Sequence, residues 1–120
     1  MDERMILLAH GSGGLLAHEL VERVFLKHLG DASSIALADE RGQLVGQAVM
    51  TTDSYVVSPI FFPGGDIGRL SICGTVNDLS MRGAKPLYLT AGFVLQEGLP
   101  LEELERVVAS MATTAQEAGV

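Results

Sequence analysis

The sequence predicts an α/β (α+β) domain, a mixed sheet flanked by helices, and three observations carry that prediction. Element signals come in the order strand, helix, strands, helix, strand, helix. The runs 47–57 and 86–95 concentrate apolar and β-branched residues, as strands do. From Leu101 onward, apolar residues recur at the spacing of one helix face. At 120 residues the chain is one domain's worth, and a hydrophobic fraction of 48% is enough for a core. It contains no internal repeat and no linker.

The chain opens with a short apolar stretch, Ile6 to Ala9, that stops at the loop His10-Gly11-Ser12-Gly13-Gly14. Leu15 to Leu29 reads as a helix, because Leu16, Leu20, Val24 and Leu26 follow helical spacing and Gly30 suits the position just past its end. Ser34 to Ala38 is a strand candidate, followed by a polar turn at Asp39-Glu40-Arg41-Gly42. Gln47 to Val57 is the strongest strand signal, interrupted by Asp53. Ser58 to Gly65 holds two prolines and two glycines, which predicts an ordered loop rather than an element. Asp66 can cap a helix from about Ile67 to Arg82, closed by Gly83 and by Pro86 beyond it. Pro86 to Leu95 is a third strand candidate. In the last helix, Pro100 suits the first turn, and Glu102 and Glu103 lie where the helix dipole favours negative charge. Leu101, Leu104, Val107, Val108 and Met111 form its apolar face, and Gly119 marks its end.

A formal net charge of -7 argues against nucleic acid or an anionic membrane as a partner, since both need a basic surface. One cysteine, Cys73, cannot form an internal disulfide, which fits a reducing cytoplasm. The start carries no signal-peptide pattern and no run is long enough to span a membrane, so a cytoplasmic location is expected. The chain stops one residue past a helix end, where a domain boundary would fall.

Three places could carry chemistry. In His10-Gly11-Ser12-Gly13-Gly14, glycines let the backbone approach a ligand, and N–H groups before a helix can bind phosphate; the plain alternative is a turn. The lysine of a P-loop is absent. Thr51-Thr52-Asp53-Ser54 places a carboxylate in an apolar run, either as a turn at a strand end or as an oxygen ligand for Mg²⁺. In Gly74-Thr75-Val76-Asn77-Asp78, Ser71, Gly74 and Asp78 share one stripe of the helix. Glycine inside a helix costs up to about 1 kcal/mol relative to alanine, so Gly68 and Gly74 need a reason, and close packing supplies one. Cys73 is expected to be a buried structural thiol beside Ile72 and Val76, and His18 and His28 to be solvated.

In their order along the chain, these motifs resemble the HypE family of hydrogenase maturation proteins. The likeness is carried by Ala9 to Gly14, by Thr51-Thr52-Asp53-Ser54-Tyr55-Val56-Val57-Ser58-Pro59 and by Phe61-Phe62-Pro63-Gly64-Gly65-Asp66-Ile67-Gly68. Cys73-Gly74-Thr75-Val76-Asn77-Asp78-Leu79, Gly83-Ala84, Tyr88-Leu89 and the stretch Gly92 to Pro100 extend it, while residues 30–48 carry it poorly. HypE belongs with aminoimidazole ribonucleotide synthetase in the PurM-like superfamily. The resemblance implies an amino-terminal nucleotide-binding and dimerisation domain over residues 1–120, whose strands pair with a second copy to close a β-barrel across a homodimer. It implies ATP and Mg²⁺ as cofactors, with His10, Gly11, Ser12, Gly13 and Gly14 covering the phosphates. Asp53 and Asp78 would hold the metal, supported by Asn77, with Ser54 beside them. Asp39 would be a further acidic ligand, although the run from Ala38 to Gly42 departs from the family's pattern. Asp66 would be a nucleotide contact or simply the helix cap.

The implied activity is an ATP-dependent carbamoyl dehydratase, which converts an S-carboxamide on a carboxy-terminal cysteine to S-cyanate for the cyanide ligands of NiFe hydrogenase. The carboxy-terminal domain and that cysteine would lie outside this chain, so the catalytic residues stay unassigned. The implied partners are the HypF carbamoyltransferase and a HypC–HypD complex. Two alternatives stand beside this: a small-molecule ATP-dependent kinase or ligase of the same superfamily, and a non-catalytic dimerisation domain.

Overall fold

Three helices form where the sequence signals place them, as seen in a computed structural model that describes residues 5–30, 41–43 and 48–120. The expected strand from Ser34 to Ala38 and the acidic position Asp39 lie outside the described residues. The first helix, α1, spans residues 15–29 in three segments: α-helical Leu15–Leu20, a wider π-helical stretch Val21–Leu26, and α-helical Lys27–Leu29. It buries Leu20 and Val24, leaves Leu26 exposed, and ends at Gly30 with φ +74°.

The segment expected to be a loop forms a small hairpin. β1 (Phe61–Phe62) pairs antiparallel with β2 (Gly65–Asp66), with Phe61 opposite Asp66 and Phe62 opposite Gly65. Pro63 and Gly64 make the connection, and Gly64 takes the positive φ of +91° that a tight Pro-Gly turn demands. Two-residue strands are too short to show a period, so the sequence pattern could not reveal them. The Ser58–Pro59 peptide is cis, and the Arg106 guanidinium lies 4.0 Å over the Phe61 ring.

Asp66 then opens α2 (Ile67–Met81) as expected of a cap: its Oδ1 accepts the Arg69 N–H at 3.0 Å. At the other end Gly83 adopts φ +68°, and the N–H groups of Gly83 and Ala84 return to the carbonyls of Ser80 (2.9 Å) and Leu79 (3.1 Å). The long helix α3 (Leu101–Ala118) closes in the same way at Gly119.

α3 is the spine of the core. Leu104 and Val108 face α1 and pack with Ile6, Leu20 and Val24. Val107 and Met111, one position round the helix, face α2 and pack with Ile72. Gly68 sits where α2 and α3 cross, and a Cβ there would run into the Val107 carbonyl oxygen and stand 2.8 Å from Asp66 Oδ1. An Arg69–Glu117 ion pair of 2.9 Å ties the exposed edges of the two helices. The first apolar stretch joins the core through an antiparallel bridge: Ile6 N–H donates to the Leu99 carbonyl at 2.7 Å, and Gly98 N–H to that of Ile6 at 2.8 Å.

Among the described residues the hairpin is the only ladder. The strands expected at 47–57 and 86–95 do not form one: residues 48–57 and 86–95 carry no strand assignment, and they leave Met50, Val56 and Val94 more than nine-tenths exposed. Leu89, Phe93 and Leu95 turn toward the core instead, Phe93 packing beside Phe25 with ring centroids 4.6 Å apart. The chain therefore combines helices with a small antiparallel sheet, and two strand-like runs lack strand partners among the described residues. No described helix is long and apolar enough to cross a membrane.

Candidate functional site

The motif on α2 and the motif around Asp53 meet at Tyr55. A Cβ added at Gly74 would collide with the Tyr55 hydroxyl and lie 2.8 Å from Cζ of its ring. The helix-interior glycine is therefore explained by close approach, although the approaching group is a tyrosine rather than another helix. Lying on Gly74 places the phenol beside Thr75 and within one turn of Asp78. Its pKa is raised, first by burial, then by a hydrogen bond to Asp53 and the charges of Asp53 and Asp78, against a hydrogen bond with Thr75 that lowers it. Asp53 and Asp78 thus both act on one hydroxyl.

Both carboxylates are exposed, as are Ser54 and Asn77. One Asp53 oxygen accepts the Ser54 N–H at 2.7 Å, which orients the carboxylate and leaves its other lone pairs open. Asp78 lines an open cleft of about 670 Å³ together with Thr51, Leu79 and Arg82. Exposed acidic oxygens at the edge of a cleft suit a hard divalent cation such as Mg²⁺, which keeps several waters and takes few protein ligands. No set of three His, Cys, Asp or Glu side chains gathers in metal-holding geometry among the described residues. Two carboxylates leave the rest of a Mg²⁺ shell to water and to the phosphate oxygens of a nucleotide.

The glycine-rich loop is at a different place. Leu8–Gly11 forms a single 3₁₀ turn, in which His10 Nδ1 accepts the Leu7 N–H at 2.9 Å and Ser12 Oγ donates to the Ala9 carbonyl at 2.7 Å. Gly13 has φ +76°. Gly14 precedes α1 with no side-chain cap, so the first-turn N–H groups of that helix have no side-chain acceptor. His10 lines a pocket of about 260 Å³ with Glu19, Arg23, Lys27 and Glu105. His10 of the loop and Asp78 line separate clefts in the single chain.

Asp66 is occupied as the α2 cap. Cys73 is exposed rather than buried, a correction to the sequence reading. α2 turns Gly68, Ile72 and Leu79 inward, and Cys73 lies a further 100° or so round the helix. His18 is solvated beside Glu22, but His28 is not: with 21% of its side chain exposed, it reaches Glu105 Oε1 at 3.2 Å. Lys27 binds the same oxygen, and hydrogen bonds from Lys27 and then His28 hold the Glu105 carboxyl below its ordinary range. Sequence reasoning missed this trio because Glu105 lies 77 residues from the adjacent Lys27-His28 pair. It also missed Tyr55 and Thr75, for which the unexplained Gly74 was the available signal.

Comparison with known proteins supplies the family context. A family described as "AIR synthase related protein, N-terminal domain" matches residues 31–120. Carbamoyl dehydratase HypE of Azotobacter vinelandii is 49% identical over 116 residues, 94% of this chain and 34% of that protein. Its namesake in Escherichia coli strain K12 is 47% identical over 122 residues, 96% of this chain and 36% of that protein. A crystal structure of hydrogenase maturation protein HypE in complex with ATP superposes with a TM-score of 0.82 at 52% identity, covering 95% of this chain and 34% of that one. The chain thus spans about a third of the length of the relatives it matches.

Proposed function

The chain belongs to the AIR synthase related proteins, through their N-terminal domain, and from that premise we propose that it is the nucleotide-binding and dimerisation part of a HypE carbamoyl dehydratase. The observation that carries the reading is the contact of Tyr55, from the Asp53 motif, with Gly74, from the Asp78 motif, in a fold shared with a HypE whose structure is a complex with ATP.

In this proposal Asp53 and Asp78 hold Mg²⁺, Asn77 and Ser54 lie beside them, and Asp39 is a further acidic ligand. Mg²⁺ there would neutralise and orient the transferring phosphate. Backbone N–H groups of Gly11 to Gly14 and of the first turn of α1 bind phosphate oxygens, where the helix dipole favours negative charge. His10 lies at the rim of that loop. Asp66 keeps its role as a cap.

The reaction is the ATP-dependent dehydration of an S-carboxamide on a carboxy-terminal cysteine. The carboxamide oxygen attacks the γ-phosphorus and ADP leaves. Loss of that oxygen as phosphate, with two protons taken from nitrogen, leaves the S-cyanate, the source of the iron cyanide ligands of NiFe hydrogenase. Cys73 sits in the middle of α2 and is not that thiol. The strand-like runs 48–57 and 86–95 pair with a second copy in a homodimeric barrel. A HypF carbamoyltransferase supplies the carboxamide, and a HypC–HypD complex takes the product in the cytoplasm.

The test uses the natural full-length protein with Mg-ATP, carbamoyl phosphate and its transferase, followed by intact-mass spectrometry of the carboxy-terminal peptide. A carbamoyl adduct that loses one water only with ATP, and not in Asp78→Asn, supports the assignment. An unmodified carboxy-terminus beside an active transferase would favour a small-molecule kinase of the same superfamily.

A further inference from the structure

We propose that Tyr55 is a positioning residue of the metal-nucleotide site: its phenol rests in the notch left by Gly74, and its hydroxyl donates to the Asp53 carboxylate two residues earlier and holds it in register with Asp78. The inference rests on the assignment of those two carboxylates to Mg²⁺.

The first support is steric. The atoms nearest a Cβ at Gly74 are the Tyr55 hydroxyl, Cζ and Cε1, so the polar edge of the ring, not its face, meets the helix. A glycine inside α2 costs helix stability, and what it admits here is a hydroxyl delivered to the surface that carries Thr75 and Asp78. The second is electrostatic. Two carboxylates brought toward one cation repel each other before it arrives. A neutral hydroxyl beside them offers a donor to one without adding charge. The Ser54 N–H already fixes one Asp53 oxygen at 2.7 Å. A second donor from the phenol would leave the carboxylate little freedom to rotate, with lone pairs remaining for the metal. Partners of this kind commonly change metal affinity 10- to 100-fold when removed.

The experiment measures Mn²⁺ binding to the natural full-length protein in the presence of ATP, by the loss of the free-ion electron paramagnetic resonance signal. Tyr55→Phe keeps the ring on Gly74 and removes only the hydroxyl. The expected result is Mn²⁺ affinity weaker by about 10-fold, an unfolding midpoint close to that of the wild type, and activity recovered by raising the metal concentration. Thr75→Val removes the hydroxyl's other partner while leaving Tyr55 in place, and gives a second measurement should Tyr55→Phe fail to fold. Wild-type Mn²⁺ affinity in both variants, while Asp53→Asn loses it, overturns the role of Tyr55 and leaves the metal assignment standing. A wild-type protein with no ATP-dependent Mn²⁺ binding overturns the metal assignment, and the role of Tyr55 falls with it.

Discussion

Gly68 and Gly74 are both helix-interior glycines, and the structure gives them different causes. At Gly68 the obstacle is the Val107 backbone carbonyl on α3, which cannot rotate away as a side chain can. Gly68→Ala should therefore push the two helices apart, lowering stability by about 1–3 kcal/mol, the range for overpacking a tight contact; urea unfolding measures it. At Gly74 the obstacle is a tyrosine side chain, so alanine there should displace Tyr55 and weaken metal binding more than it lowers stability. Glu105 makes a third residue-scale prediction, on pH. Its carboxyl is held below the ordinary value of 4.5 by Lys27 and then His28. A depressed acid contributes stability above its unfolded pKa and loses it as pH falls through the folded one. Glu105→Gln should accordingly lower the urea midpoint at about pH 6 and make it fall less steeply toward about pH 3. An unchanged acid limb would mean that the exposed pair contributes nothing measurable, as many surface ion pairs do.

At the scale of elements, what was legible in the sequence was what is decided locally. α3 was readable because its stripe, its two first-turn glutamates and its terminal glycine all lie within the helix itself. The Asp66 cap and the Gly83 stop framed α2 in the same way. α2 still misled about Cys73, because Ile67, Leu70, Ile72, Cys73, Val76 and Leu79 leave no clean polar face from which to choose its inner side. The strand signals failed differently. A strand needs a neighbour, and no pattern within 47–57 or 86–95 states where that neighbour is. Asp53 and Asp78 were legible as residue types in two motifs, but the meeting of those motifs at Tyr55 was not, since it depends on the path of the chain between two elements. A direct check on the element hierarchy is Leu104, which is 2% exposed and joins α3 to α1. Leu104→Ala should cost about 2–5 kcal/mol, the range for an unfilled cavity in a packed core. A smaller loss by calorimetry would mean that the α1–α3 contact collapses around the gap.

Among the described residues, a single chain leaves an apolar surface exposed. Met50 (91%), Val56 (98%) and Val94 (104%) project fully, on runs with β propensity that belong to no strand among the described residues. Unpaired strand-like backbone beside exposed apolar side chains invites pairing with another chain, and a symmetric pairing of two copies closes the surface instead of propagating it. The natural protein should therefore be a dimer by light scattering, and Val94→Lys with Val56→Lys should shift it to monomer while α3 keeps its helical signal. Salt separates the driving forces. With a formal charge of -7 on this chain, like charge opposes association, so a dimer held by apolar contacts and backbone ladders should tighten as ionic strength rises. A dimer held by ion pairs should loosen under the same change. Tightening with salt, together with its loss in the lysine variants, would assign the interface to these two runs. A protein that stays monomeric at every salt concentration would remove the barrel and leave the exposed runs to be covered by other parts of the same protein.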